Sequence, residues 1–360
     1  MCGPFPPCKT FSCDAPVVRG SRAFDRPMAE DTRDITIIGG GPTGLFAAFY
    51  AGMRGSSCRI VDSLPELGGQ LTALYPEKDI YDVGGFPKIL AKDLARSLVA
   101  QAMQFGPEVA LDQQVRALER EDDHFVLECS GGRFLSRSVV IAGGKGAFEP
   151  MRLACPGYDD FMYRGVEFAV RDPESFRGKR VMIVGGGDSA LDFVLMLKDV
   201  AASTMLVHRR DGWRAHGATV ERVEAAAAAG DVELRTFHEL RCIEGAAGIE
   251  RVTIFDNRTD EDVVVACDVV ISCLGFKPDL GPMKNWGLNV DKNRILVDRL
   301  MATNIPGVYA AGDIVDYEGK LDLIATGFAE AAIAVNNAVH FVDPSARVNP
   351  GHSTNMKVFK

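Results

Sequence analysis

The 360-residue sequence has nine cysteines but no C-x-x-C pair anywhere. Scattered thiols without that spacing argue against a disulfide framework and a structural zinc site, and they suit a reducing, cytoplasmic setting. Long apolar runs are also missing. None approaches the roughly 18–20 residues that a membrane helix needs, and the N-terminus has no apolar signal core. Positive charge is in deficit, since 40 Lys and Arg face 49 Asp and Glu, for a net charge of −9. That balance argues against a nucleic-acid binder, which needs a basic face, so an acidic partner must be met by a local basic patch. What is present is an ordinary globular composition, 47% hydrophobic and 25% charged, in a chain long enough for about two domains.

Residues 1–28 are rich in Pro, Cys and Gly without usable periodicity. They read as a disordered extension, with Met28 as a candidate initiator. Cys2, Cys8 and Cys13 match none of the common metal-ligand spacings, and no metal site is expected.

The chain is organised around Asp34-Ile-Thr-Ile-Ile-Gly-Gly-Gly-Pro-Thr-Gly44. A short apolar strand, 35–38, runs into Gly39-x-Gly41-x-x-Gly44, and an amphipathic helix follows. A dinucleotide pyrophosphate needs this order: Gly39 for a tight turn, Gly41 for phosphate approach and Gly44 for close helix–strand packing. The helix N-terminus adds free N–H groups and a partial positive charge. The next apolar run, 58–61, ends in Asp62, where a ribose-binding carboxylate should sit.

The pattern restarts further on. An apolar strand, 179–184, leads into Gly185-Gly-Gly187-Asp188-Ser189-Ala190, with a helix expected over 191–200. Two fingerprints, each in strand–turn–helix context, are far more specific than one. The following strand, 204–207, ends in His208-Arg209-Arg210 and then Arg214, where an NAD site would place a carboxylate. Basic residues there suit a dianionic 2′-phosphate, so this unit should hold NADPH.

Between the two fingerprints, residues 63–87 form a Gly- and Pro-rich loop that also carries aromatic residues, a pattern more often functional than connecting. A helix over 91–105 and strands over 115–120, 124–129, 133–135 and 139–142 follow. Beyond the second unit come an Ala-rich helix, 218–229, and a strand over 268–273. A short strand then ends in Gly312-Asp313, a carboxylate beside a close-approach glycine that suits a hydroxyl-rich ribitol chain. A long helix is expected over 323–341.

Together these elements resemble the two-dinucleotide flavoprotein reductases related to thioredoxin reductase. In that superfamily the first fingerprint and the Gly-Asp segment hold FAD, and the inserted unit holds NADPH. The redox C-x-x-C of thioredoxin reductase would fall on Phe168, Ala169, Val170 and Arg171, so dithiol exchange by that route is excluded. The stretches Leu64-Pro-Glu-Leu-Gly-Gly-Gln70-Leu-Thr-Ala-Leu-Tyr75-Pro-Glu-Lys and Tyr81-Asp-Val-Gly-Gly-Phe-Pro87 are similar to the ferredoxin–NADP reductase family of the thioredoxin-reductase-like type. So are Lys284-Asn-Trp-Gly-Leu and the late Gly351-His-Ser-Thr354.

The resemblance implies an α/β fold of two three-layer Rossmann-like domains. The FAD domain would be 29–150 plus 276–360, and the NADPH domain the insert, 151–275. FAD would be held by Gly39, Gly41, Thr43, Gly44 and Asp62, the last standing where the family commonly has Glu. Gln70 and Phe148 would also contact FAD, Val115 would meet the adenine through its backbone, and Asp313 would meet the ribitol and pyrophosphate. Tyr75 would stack on one face of the isoalloxazine. His352 would cover the other face with Thr354 beside the ring, and this tail can come from a partner subunit, implying a homodimer. NADPH would be held by Gly185, Gly187, Asp188, Ser189, Ala190, His208, Arg209, Arg210 and Arg214. Read without the family, Tyr75 is more readily a surface loop aromatic and His352 a frayed terminus, since termini are usually mobile.

The implied activity is hydride transfer from NADPH to flavin N5, followed by single electrons to ferredoxin, with flavodoxin as a further acceptor. No side-chain nucleophile or general acid is assigned, because the flavin carries the chemistry. Ferredoxins are usually acidic, so docking would need cations, for which Arg164, Arg171, Arg177, Lys179 and Arg180 are candidates. Two alternatives remain: an NADPH oxidase or flavin reductase using free acceptors, and a non-catalytic NADPH-sensing flavoprotein.

Overall fold

Strands buried on both faces read as continuous β-branched runs, which is what a parallel sheet requires. Two such sets occur in the computed structural model, which describes residues 32–146, 149–277 and 279–355. The first sheet contains β1 (Arg33–Ile38), β2 (Cys58–Val61), β3 (Glu108–Ala110), β4 (Val115–Glu121), β5 (His124–Cys129) and β6 (Gly132–Ile141). Their order is β3-β2-β1-β6-β5-β4. Ile37 sits in register with Ile60 on one side and Val140 on the other, all in parallel pairing. Three helices cover one face: α1 (Pro42–Met53), α2 (Ala91–Ala102) and, from far along the chain, Ile324–Val342. Ile35, Leu45, Leu94 and Val335 meet in that core. The opposite face buries Val61, Leu127, Ile141 and Trp286, and the Trp286 indole N–H donates to the Arg116 carbonyl at 3.1 Å.

The second sheet has the order Val166–Glu167 (β7), Val269–Ser272, Arg180–Val184 (β8), Ser203–His208 (β9) and Glu233–Thr236 (β10). Helices α3 (Asp188–Leu197) and α4 (Gly217–Ala229) pack on one face through Leu191, Val194 and Val223. A three-stranded antiparallel sheet, His238–Glu244, Arg251–Asp256 and Asp262–Ala266, covers the other through Leu240, Val252 and Ile254. We label Val269–Ser272 β11, Val308–Ala310 β12 and Ile324–Val342 α5. The chain therefore builds two three-layer α/β units. The two passages between them, Glu149–Pro150 and Phe276–Lys277, pair antiparallel as a two-stranded ladder.

Three local expectations are corrected. The separate strands expected over 133–135 and 139–142 are one ten-residue strand, β6. Its first half pairs antiparallel with β5, and its second half pairs parallel with β1 and β12. Ser136 and Ser138, which look like a break, are fully buried because each hydroxyl has its own acceptor: Ser138 O at 2.7 Å and Gly307 O at 2.8 Å. Helix α3 begins at Asp188, three residues before the expected start. Gly187 is its extended N-cap, and Asp188 falls in a first turn that favours a carboxylate. The 63–87 loop also contains a short helix, Gln70–Ala73, and the strand Asp79–Ile80, which pairs with Ile89–Leu90.

Candidate dinucleotide sites

At the end of β1, Gly39 has φ +112°, and a Cβ there would strike the Ala142 carbonyl. A Cβ on Gly44 would fall on the carbonyl oxygen of Gly39, so α1 and β1 can pack only with glycine at this point. Gly41 differs: the nearest atom to a Cβ would be the Gly69 Cα at 3.8 Å. The space over Gly41 opens on a cavity of about 350 Å³. Thr43 and Gly44, in the first turn of α1, present N–H groups with no earlier helical carbonyl to bond. This combination of open backbone and unpaired donors suits a pyrophosphate.

The cavity gathers most of the expected FAD residues, with Gly39, Gly41, Thr43, Asp62, Gln70, Tyr75, Val115 and Asp313 all in its lining. Gly44 lies behind it at the helix–strand contact. Asp62 is buried, and its two carboxylate oxygens accept the N–H groups of Gly40 and of Leu64, the latter at 2.8 Å. Burial pushes the Asp62 carboxyl above its ordinary range, and these backbone bonds oppose it. The shorter arm is thus tied to the glycine turn itself. Burial also pushes the Tyr75 hydroxyl up to about 12, helped by Asp313 and Asp82. Asp313 is raised by burial and by Asp322, while Lys145, Lys320 and Arg294 pull it down. His352 and Thr354 are exposed and do not line the cavity. Phe148, like Cys2, Cys8 and Cys13, lies outside the described residues.

Several lining residues were not singled out from the sequence, among them Gln113, Gln114, Gly143 and Met283. Gly68 and Gly69 were noted as loop glycines within the family-like stretch, with no role of their own. Their reason is now visible: Gly68 N–H donates to Gly40 O at 2.8 Å, and a Cβ on Gly69 would come 2.7 Å from Gly41 Cα. The Gly68-Gly69-Gln70 run therefore packs directly on the fingerprint turn.

At the second fingerprint Gly185 has φ +155°, and a Cβ there would come 2.6 Å from Cys273 O, while a Cβ on Gly187 would meet only the Arg214 carbonyl at 3.8 Å. Asp188 and Ser189 open α3, and Ala190 takes the third glycine's place. The Asp188 carboxylate accepts the His216 N–H at 2.9 Å, and Arg214 N–H donates to Gly186 O at 2.7 Å, which folds the basic segment back over the turn. The His208 ring lies over Gly186 and stacks on Trp213 with centroids 4.9 Å apart. The side chains of Arg209, Arg210 and Arg214 are exposed. None forms an ion pair among the described residues, and together they suit a phosphate.

The thiols among the described residues form no disulfide. Six cysteines there are free, and burial pushes Cys58 and Cys273 up to about 12, so both stay protonated. No group of His, Cys, Asp and Glu among those residues could hold a metal ion.

A family model described as pyridine nucleotide-disulphide oxidoreductase matches residues 33–338. A ferredoxin–NADP reductase of Thermus thermophilus is 52% identical over 328 residues, covering 91% of this chain and 98% of that protein. One from Halalkalibacterium halodurans is 49% identical over 329 residues, with the same coverage. Among solved structures, the thioredoxin reductase of Lactococcus lactis (FR conformation) gives a TM-score of 0.73 at 26% identity, covering 86% of this chain and 99% of that one. T. acidophilum thioredoxin reductase shares the fold with a TM-score of 0.74 at 24% identity, covering 88% and 100%. With both glycine turns in place and identity near one half across almost the whole length of such relatives, the chain belongs to the ferredoxin–NADP reductase family of the pyridine nucleotide-disulphide oxidoreductases.

Proposed function

We propose that this chain is an FAD-dependent oxidoreductase moving electrons between NADPH and ferredoxin. The observation that carries the reading is a difference between two otherwise matching glycine turns. The first is closed by the buried carboxylate of Asp62, the second by His208 with three unpaired arginines, so the two sites take different nucleotides. Bound FAD supplies the chemistry, accepting a hydride and releasing electrons singly.

The protein's part is to bind and orient. Gly39, Gly41, Thr43 and Gly44 receive the FAD pyrophosphate, Asp62 the adenosine ribose, Val115 the adenine, Asp313 the ribitol arm and Gln70 the flavin side. Tyr75 covers one face of the ring and excludes water there. Gly185, Gly187, Asp188, Ser189 and Ala190 receive the NADPH pyrophosphate, and His208, Arg209, Arg210 and Arg214 the 2′-phosphate. His352 and Thr354 complete the flavin site from a partner subunit of a homodimer. Their exposure in the single chain supports this. The six free cysteines among the described residues support a cytoplasmic enzyme.

The FAD domain is 29–150 plus 276–360 and the NADPH domain 151–275, with the 149–150 and 276–277 ladder as the hinge on which they turn. Ferredoxin docks at a cleft of about 830 Å³ between them, whose lining includes Tyr163 and Phe168 and sets Arg164, Arg171 and Lys179 beside Glu167, Asp172 and Asp268. Leu64 lines both this cleft and the FAD cavity, which keeps a docked acceptor close to the flavin. Of the five candidate cations, Arg177 is engaged by Glu174 and Arg180 by Asp268. Arg164, Arg171 and Lys179 are left facing the cleft.

Steady-state reduction of ferredoxin, flavodoxin and a dye, with NADPH and NADH in parallel, tests the reading. Ferredoxin reduction preferring NADPH is expected. Oxygen uptake without ferredoxin, together with poor ferredoxin reduction, would establish an oxidase instead. Flavin bleaching without turnover on any acceptor would establish a sensor.

A further inference from the structure

Glu330 stands in the middle of α5 among fully buried neighbours such as Ala331, Ala334 and Val335, and is itself only 2% exposed. A carboxylate at such a position is costly unless it is paired. Every partner here is fixed. One oxygen accepts the Gly312 N–H at 2.7 Å, and the other accepts the Tyr317 hydroxyl at 2.7 Å and the Lys320 ammonium at 2.6 Å. The Lys320 side chain is 3% exposed, so both charges lie inside the protein.

Packing does not explain this pair. Apolar residues of similar volume commonly replace a buried ion pair with no loss of stability. What an apolar residue could not supply is an acceptor for the Gly312 N–H. Gly312 has φ +85°, and a Cβ there would meet the Thr43 side chain at 2.8 Å; a Cβ on Gly327, one turn before Glu330, would fall on Thr43 Oγ1. The Gly312 turn is thus gripped between Thr43 on the fingerprint helix and Glu330 on α5. The next residue is Asp313, which faces the cavity. Lys320 cancels the Glu330 charge, so Asp313 is not set beside a second bare carboxylate, and the Lys320 field reaches Asp313 directly.

We infer that Glu330, neutralised by Lys320 and steadied by Tyr317, is a positioning residue for FAD: it fixes the Gly312 peptide and so aims Asp313 at the ribitol arm. This rests on the assignment of FAD to the first cavity. The test uses the full chain with Glu330→Leu/Lys320→Met, which removes both charges together, and with Tyr317→Phe, which keeps the ion pair and removes one bond to it.

Circular dichroism gives the melting temperature, quenching of flavin fluorescence the FAD dissociation constant, and tryptophan fluorescence, with Trp213 stacked on His208, the NADPH affinity. The folded double variant should bind FAD about tenfold more weakly, as loss of a charge-assisted hydrogen bond predicts, with NADPH affinity unchanged. FAD affinity within twofold of wild type, or an equal fall in both affinities, overturns the inference. If the double variant does not fold, Tyr317→Phe decides: a roughly threefold loss confined to FAD supports the role, and no loss refutes it. Failure of the wild-type chain to bind FAD would instead strike the assignment of the cavity.

Discussion

The Lys78 ammonium lies 3.4 Å from the Asp192 carboxylate, joining the loop that carries Tyr75 to the helix that follows the second glycine turn. Burial pushes the Asp192 carboxyl upward, and Lys78 opposes it. Both side chains are about one-third exposed, so the pair contributes about 0–1 kcal/mol. That is small against global stability but enough to shift the balance between two domain poses about fivefold. Asp192→Asn should leave the melting temperature nearly unchanged. Where pose exchange limits the rate, it should raise turnover on a small uncharged dye by up to about fivefold and remove the dependence of that rate on salt. Stopped-flow and steady-state rates across ionic strength check this; wild-type rates with wild-type salt dependence would sink the latch.

The first fingerprint makes two glycines separable by experiment. Gly44→Ala puts a Cβ on the Gly39 carbonyl oxygen, so the chain should misfold or melt well below wild type. Gly41→Ala adds its Cβ to open space, 3.8 Å from the nearest atom, so the apoprotein should keep its melting temperature while FAD affinity falls about tenfold or more. Melting of the stripped protein beside FAD titration distinguishes them, and a Gly41→Ala protein with wild-type FAD affinity would move the pyrophosphate elsewhere.

What could be read from the sequence follows from how local the chemistry is. Both glycine turns, Asp62 and His208-Arg209-Arg210 are legible because a strand end, a tight turn and a helix start fall within a few dozen residues. Ser136 and Ser138 were misleading because hydroxyls bonded inside a sheet look like a loop in any polarity pattern. Glu330 was invisible for the same reason: a charge within a helix reads as a solvated face until its partners, Gly312, Tyr317 and Lys320, are seen around it. The cleft required both units at once, since Leu64, Ala73 and Leu74 come to line one cavity with Arg164 and Arg171 only in three dimensions.

The exposed arginines of the second unit should discriminate nucleotides. Arg209→Ala or Arg210→Ala removes a charge-assisted contact to a 2′-phosphate, worth about 1.5–3 kcal/mol. The KM for NADPH should therefore rise about 10–100-fold with kcat nearly unchanged, and the KM for NADH should hardly move. Parallel kinetics with both nucleotides measure this. An equal effect on both would assign the arginines a general structural role.

Asp313 couples stability to function with opposite signs. Its folded carboxyl is raised by burial first, so the folded apoprotein is penalised for the ionised form. That penalty is fully present above the folded pKa and disappears as pH falls through it toward the ordinary carboxylate range. Asp313→Asn apoprotein should thus melt higher than wild type at pH 7–8 and lose that advantage in mild acid, while binding FAD about tenfold more weakly. Thermal melts across pH, paired with FAD titration at neutral pH, provide the check. A variant less stable than wild type at neutral pH would show that the carboxylate is paired within the apoprotein.

The cleft should carry the salt-sensitive part of acceptor reduction. Arg164 and Arg171 face it and form no hydrogen-bonded ion pair among the described residues. Reversing them with Arg164→Glu/Arg171→Glu opposes an acidic partner without touching either glycine turn. Long-range attraction of this kind acts mainly on association and is screened over about 8–10 Å at physiological ionic strength. The double variant should therefore reduce ferredoxin about tenfold more slowly at low salt, converge on wild type as salt rises, and reduce a small uncharged dye from NADPH at the wild-type rate. If dye reduction falls as well, the substitutions have disturbed the domain pose. If the ferredoxin rate is unchanged at low salt, the acceptor approaches the flavin by another face.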